Sequence, residues 1–400
     1  MLALFQNKKW AAADASVLAL VLAIASIHVS PAAASLLLGL ALLSTLFSGP
    51  ELGVHKWGFT VAVMLLAIEW YGSESSHRIA LHLPLYVAMS IRPGQEFAQR
   101  WIQQFYALYW AWLLPLLWVS LASLMEFAQH PEFYRQMVME SKPMPLFSQV
   151  YHIEYSILQA VLILMLIRGM LCQQIERSIW AYGALVLMTL CLHALSARTG
   201  ILTFWVGVTG LSWPYRQRFN RRYVWLVPCL LLLMTLGTMG ERLQNSWHDL
   251  QTMVQHADPN HQSMAQRLEA WKAAIKSINH KPLLGWGSAQ VEQAMTWSYE
   301  KQTYLNPENW IGPHNQYLEL VLQGGLAALL LVVIWVMNLI RQSKGFAWVA
   351  GLAVAMVFES IGERQAGMLV LVLVVLIWQF EANRPRVEEK SVNEAGLLDL

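Results

Sequence analysis

The stretch "NQYLELVLQGGLAALLLVVIWVMNLI" at 315–340 carries one charged side chain, Glu319, close to its start. A helix of that length, rising 1.5 Å per residue, is long enough to cross the roughly 30 Å hydrocarbon core of a bilayer. Comparable apolar runs recur at 14–30, 32–48, 57–72, 78–91, 104–125, 151–170, 178–196, 200–214, 223–240, 346–362 and 366–381. The chain therefore reads as an all-α polytopic membrane protein with about twelve transmembrane helices. Composition agrees. Hydrophobic residues make up 56% of the 400 residues and charged residues 13%, where a soluble surface needs about a quarter. Disordered, collagenous, coiled-coil and disulfide-scaffold classes are excluded on the same ground. Cys172, Cys191 and Cys229 sit in or beside apolar runs with no CxxC spacing, which argues against a structural zinc site.

Basic residues orient the spans. With the N-terminus in the cytoplasm, the cluster Arg216, Arg218, Arg221 and Arg222 falls inside, as do Lys8, Lys9, Arg168, Arg341 and Arg384. Both termini are then cytoplasmic. Pro31–Ser35 resembles a signal-peptide cleavage region, but another span follows at once, so an uncleaved first helix is expected. The organisation becomes N-terminal helices over 1–240, a large extracytoplasmic loop over 241–314, closing helices over 315–381 and a polar tail over 382–400. A second outer segment, 126–150, carries Pro131, Pro143 and Pro145 and reads as an irregular or short-helical loop.

Within the large loop, 264–279 reads as a helix with Leu268, Trp271, Ile275 and Ile278 on its packing face. Arg267 lies at the edge of that face. The loop closes with Gly312-Pro313-His314-Asn315-Gln316-Tyr317, so His314 stands at the water-facing start of the next span, and Asn315 or His314 caps it. Arg198, in "SARTG" at 196–200, falls on the same outer side. Three residues far apart in sequence thus converge on one membrane face, although each alone also fits a structural role.

The segments "SARTG" at 196–200, "QRLEAWKAAIKSINHKPLLGWG" at 266–287 and "PHNQYLELVLQGGLAALLL" at 313–331 resemble the O-antigen ligase and Wzy-type polymerase family of bacterial inner-membrane glycosyltransferases. They cover about a quarter of the chain. Ala197 stands where a Ser is common, and Gln323-Gly324 replaces a more usual acidic-Gly pair. The resemblance implies a GT-C-like fold and transfer of a glycan from undecaprenyl pyrophosphate. The acceptor is the lipid A–core oligosaccharide in the ligase branch, another lipid-linked repeat in the polymerase branch, and protein in a third.

Such a transfer needs a deprotonated acceptor hydroxyl and a stabilised pyrophosphate leaving group. The chain has no Asp-x-Asp, and its outer Asp residues are Asp249 and Asp258. Arginine is the natural substitute for a metal, because its charged fork meets two phosphate oxygens at once. Arg198 and Arg267 are therefore expected on the pyrophosphate, with His314 as general base, Asn315 and Tyr317 as further binding residues, and neither metal nor cofactor. His152 and Glu154 are lesser candidates for orienting a sugar or His314, and Glu363-Arg364 reads as an internal pair. His248, His256 and His261 show no ligand spacing. The partners implied are the lipid-linked donor, the lipid A–core acceptor and membrane lipid, with no nucleic acid. A secondary transporter is the non-enzyme alternative; it would place its polar residues near the midplane and show paired halves.

Overall fold

The computed structural model describes residues 11–46, 52–71, 76–139, 142, 144–212, 240, 247, 260, 263–301, 305–342 and 349–383. The expected span 223–240, the cluster Arg216–Arg222, the loop residues His248, Asp249, His256, Asp258 and His261, Cys229 and the tail beyond 383 lie outside them.

Fifteen α-helices make up the described fold. They are α1 (Ala11–Ser26), α2 (Pro31–Leu46), α3 (Lys56–Tyr71), α4 (Ser76–Ser90), α5 (Gln95–Ala107), α6 (Tyr109–Gln129), α7 (Pro131–Met139), α8 (His152–Leu171), α9 (Ile179–Ala194), α10 (Arg198–Ser212), α11 (Ser263–His280), α12 (Val291–Glu300), α13 (Gln316–Gln342), α14 (Ala350–Phe358) and α15 (Gln365–Ala382). One antiparallel ladder of three-residue strands, β1 (Leu52–Val54) and β2 (Ile91–Pro93), adds to the all-helical expectation. Among the described residues, four helices are long and apolar enough to cross a membrane: Tyr109–Gln129, His152–Leu171, Gln316–Arg341 and Gln365–Ala382. Ala11–Ser26, Pro31–Leu46 and Ile179–Ala194 are apolar but shorter. The chain is a multi-pass helical membrane protein.

One expectation changes. The run 104–125 is divided at Leu108 (φ −92°, ψ 19°) into α5 and α6. The first piece is amphipathic, burying Phe97, Trp101 and Phe105, and Trp101 stacks on Phe380 of α15 at 4.4 Å. The segment 126–150, read as an irregular or short-helical loop, takes the short-helical form: α6 continues to Gln129 and α7 starts on Pro131, whose fixed φ suits a first helical position.

The core centres on α8 and α15. Both are apolar on nearly every side, so both are buried on nearly every side. Ion pairs join them at each end. Arg168 near the end of α8 binds Glu381 near the end of α15, Nε to Oε1 at 2.9 Å. Arg364, immediately before α15, meets Glu154 in the first turn of α8 at 3.0 Å. The two helices therefore run side by side in the same direction. Inside the apolar layer, Gln159 of α8 donates to Ser120 Oγ and to the Met188 carbonyl, both at 3.0 Å, linking α6, α8 and α9.

A smaller core lies outside this bundle. Ala270, Ala273, Ala274, Val291, Met295, Tyr299 and Leu305 close around Leu322 of α13. The packing face of α11 is thus its alanine row with Ser277. Ile275, expected on that face, is 51% exposed. Close approach to α12 and α13 favours small side chains, which an apolar-periodicity reading passes over. The Lys281–Gly287 turn then inserts into α13. Trp286 N and Gly287 N donate to the carbonyls of Leu322 and Gln323 (2.7 and 2.9 Å), while Leu326 N and Ala327 N donate to those of Pro282 and Leu283 (2.8 and 3.2 Å). The helix interrupts its own bonding there, at Gly325 (φ 67°, ψ −171°). An added Cβ would lie 2.1 Å from the Leu283 carbonyl oxygen.

Gly325→Ala is accordingly expected to lower stability by roughly 2–3 kcal/mol, because that backbone region is open essentially to glycine alone. Gly39→Ala, with nothing within 4 Å of the new methyl, is expected to be neutral or slightly stabilising. Thermal unfolding of the two purified variants in one detergent measures the difference.

Candidate active site

Helix α11 presents Arg267 and Trp271 one turn apart on a single side, since residues i and i+4 are neighbours on a helix. Trp271 Nε1 donates to the Pro313 carbonyl at 2.8 Å, which fixes the residue before His314. Tyr299 of α12 donates to the Ile311 carbonyl at 2.8 Å and anchors the same turn from the other side. Burial pushes its phenol up to about 12. His314 itself adopts φ 44°, a left-handed conformation uncommon for a residue with a side chain. Asn315 is the N-cap of α13, its Oδ1 accepting from Tyr317 N and Leu318 N at 3.0 Å each. Its own N–H donates to Ser360 Oγ at 3.1 Å, joining this turn to the segment that follows α14.

That segment supplies the residue the sequence reading missed. Glu359, just past the end of α14, takes Arg267 on one oxygen (Nη2 to Oε1, 2.7 Å) and faces His314 Nδ1 with the other (3.3 Å). Arg267 Nη1 also donates to the Phe358 carbonyl at 2.5 Å. Burial by itself raises the Glu359 carboxyl, but the His314 hydrogen bond and the Arg267 charge outweigh it and hold the group below the ordinary glutamate value. Glu359 is thus an anion at neutral pH. Of the three side chains, His314 is the most open, at 34% against 22% for Arg267 and 13% for Glu359.

The other expected residues gather around this contact in different ways. Glu154 pairs with Arg364, and Arg364 also lies over the Tyr151 ring, 5.1 Å from its centroid. The charges of Glu359 and Arg267 reach Tyr151, and that of Glu359 reaches Glu154, so the start of α8 adjoins the Arg267–Glu359–His314 cluster. His152 is buried with its ring edge-on to Tyr151 at 4.5 Å. Arg198 opens α10, whose first turn is pressed onto α8: a Cβ on Gly200 would fall 2.3 Å from Ser156 Oγ. Arg198 thus stands two residues before this contact with α8. The Asn315 side chain is engaged in its cap, and Tyr317 Oη donates to the Ala353 carbonyl at 2.8 Å.

Glu363 and Arg364 do not pair with one another. Glu363 lies 3.6 Å from Arg78 and accepts from Gln323 at 3.1 Å, while Arg364 turns to α8. Glu363 closes a short 3₁₀ turn (Ile361–Glu363) and Arg364 leaves it in extended backbone (φ −135°, ψ 152°), which turns the two side chains apart. Through Glu363, Gly362 and Gln316, the 359–364 turn continues into a buried polar group of Glu319, His82, Glu69 and Tyr86. Glu359 gave little away in sequence. It is one carboxylate at the end of an apolar run, remote in sequence from His314, and only its position on the outer side beside Glu363 hinted at it.

Residues 183–333 match the O-antigen ligase family model, Wzy_C. The match runs from α9 past the break in α13 and includes Arg198, Arg267 and His314, whereas Glu154, Glu359 and Arg364 lie beyond its ends. No curated protein matches the chain. Wzy_C members are glycosyltransferase-like ligases and polymerases, which supports a function of O-antigen ligase or polymerase type on polysaccharide or lipid-linked substrates.

If Arg267, Glu359 and His314 form one unit, their substitutions are not additive. Arg267→Gln and Glu359→Gln are each expected to destabilise the fold, and the double variant less than the sum, with a coupling of about 1 kcal/mol after allowance for partial exposure. Thermal unfolding of the four-member cycle measures it. The sign of the pH effect follows from the lowered carboxyl: its contribution is present above the ordinary glutamate range and fades as pH falls through the lowered value.

Proposed function

We propose that the protein is an O-antigen ligase, moving a polysaccharide from undecaprenyl pyrophosphate to the lipid A–core oligosaccharide at the periplasmic face of the inner membrane. The observation that carries this reading is the sharing of Glu359 by Arg267 and His314, which sets a cation and a base side by side at an open edge. The family match over 183–333 supports the reaction class.

The Glu359 carboxylate can only accept, so His314 Nδ1 carries the proton between them. That leaves Nε2 as the acceptor nitrogen, the form a general base requires. The acceptor hydroxyl gives its proton to Nε2 as its oxygen attacks the anomeric carbon. The bond from that carbon to the pyrophosphate oxygen breaks, and its electron pair leaves on undecaprenyl pyrophosphate. Arg267 spends two of its five N–H donors on Phe358 and Glu359 and keeps three for phosphate oxygens. Arg198, at the start of α10, meets the same leaving group. The displacement inverts the anomeric configuration and needs no metal, since the arginines carry the charge that a cation would otherwise neutralise. Both termini lie in the cytoplasm, and the site faces the periplasm.

Purified enzyme is expected to join donor to core in EDTA, and His314→Ala to lose roughly two to four orders of magnitude in turnover. Activity that needs added Mg²⁺ after chelation, or product with retained configuration, would sink this mechanism. Glu359→Gln, which keeps the shape but not the charge, is expected to lower turnover more than donor KM. In a deletion strain, lipopolysaccharide without O-antigen alongside accumulated polymer identifies a ligase; core capped by a single repeat identifies a polymerase instead.

A further inference from the structure

A group of cations on the far end of α11 takes no part in the chemistry above. Lys276 and Lys301 both approach the ring of Trp297, with Nζ 5.6 and 4.2 Å from its centroid, and His280 stands edge-on to the same ring at 4.4 Å. Lys281 lies over Trp286 at 4.2 Å. Neighbouring Lys272 is neutralised by Glu269 at 2.6 Å, but among the described residues no carboxylate pairs with Lys276, Lys281 or Lys301. Ammonium groups gathered without a counter-charge repel one another, and an anion seated among them removes that cost.

The surroundings say where the anion comes from. Beside Lys281, Leu283 and Leu284 are 69% and 72% exposed, an unusual state for adjacent leucines in water. The hydrogen bonds from Leu326 and Ala327 hold this turn at the break in α13. Below it, Leu326, Leu330, Val333, Met337 and Ile340 are all exposed, at helical spacings of 4, 3, 4 and 3. That stripe is the lipid-facing side of a membrane helix. The two leucines extend it at its outer end, and the lysines with their indoles stand just above, at headgroup height. Tryptophan and lysine favour that level.

We propose that Lys276 and Lys301, gathered on the Trp297 ring, hold the phosphate of an anionic phospholipid of the surrounding leaflet, with Leu283 and Leu284 beside Lys281 seated among acyl chains. The site is independent of the transfer reaction. It fixes the height of α11, and so of Arg267 on the same helix, relative to the bilayer.

Native mass spectrometry of the full chain from mild detergent, after addition of phosphatidylglycerol or phosphatidylethanolamine, tests this. The wild type is expected to retain phosphatidylglycerol selectively and to release it as ionic strength rises. Lys276→Gln combined with Lys301→Gln is expected to weaken retention roughly ten- to thirtyfold, at the usual strength of a lysine near an anionic surface. Lys272→Gln is expected to change nothing, and the Lys276→Arg, Lys301→Arg pair to retain the lipid. Equal retention by the glutamine pair and the wild type, salt-insensitive retention, or retention of phosphatidylethanolamine as strong as that of phosphatidylglycerol would each overturn the proposal. So would a preference for bisphosphorylated lipid A over phosphatidylglycerol, which would make the patch an acceptor subsite.

Discussion

The carboxylate of Glu359 joins three separate segments of this protein. Arg267 comes from the loop subdomain, His314 from the turn that opens α13, and Glu359 from the turn after α14. The three residues lie far apart in sequence. A charge buried to this extent is costly alone, so the anion needs both partners, and meeting that need draws the subdomain onto the membrane helices. The same residue that locates the subdomain also orients the imidazole. In the proposed mechanism stability and chemistry rest on this one side chain.

A second junction prevents the subdomain from swinging about that point. The Lys281–Gly287 turn shares backbone hydrogen bonds with the interrupted α13, on both sides of Gly325. Breaking a helix in an apolar setting leaves peptide groups without partners, and each costs free energy unless another segment supplies bonds. Here the inserted turn supplies them. The lipid site proposed above lies on the same turn, so bilayer, turn and catalytic helix form one mechanical chain.

Beneath these junctions, α8 and α15 provide the fixed frame. Their parallel pairing is held by ion pairs at opposite ends, Arg168–Glu381 and Arg364–Glu154. The second pair brings the start of α8 beside the active-site cluster. The frame and the site thus share residues, which explains how Glu154, a weak candidate in sequence, comes to adjoin Glu359 without touching His314.

The sequence by itself determined the membrane class, the places of most of the described helices, the helix over 264–279 and the pairing of Arg267 and His314 as candidates for one site. Those features are local: an apolar run long enough to cross, a Gly-Pro stop or a basic cluster depends on residues within a turn or two of one another. Only the tertiary structure decided that Glu359 joins Arg267 to His314, that Glu363 and Arg364 part company, that an alanine row packs where Ile275 was expected, and that α13 opens to accept a turn from the loop. Each of those depends on which distant segments lie side by side. A lone carboxylate or a run of alanines looks the same in sequence whether or not a partner waits across the fold, because the free energy that selects it resides in the partner.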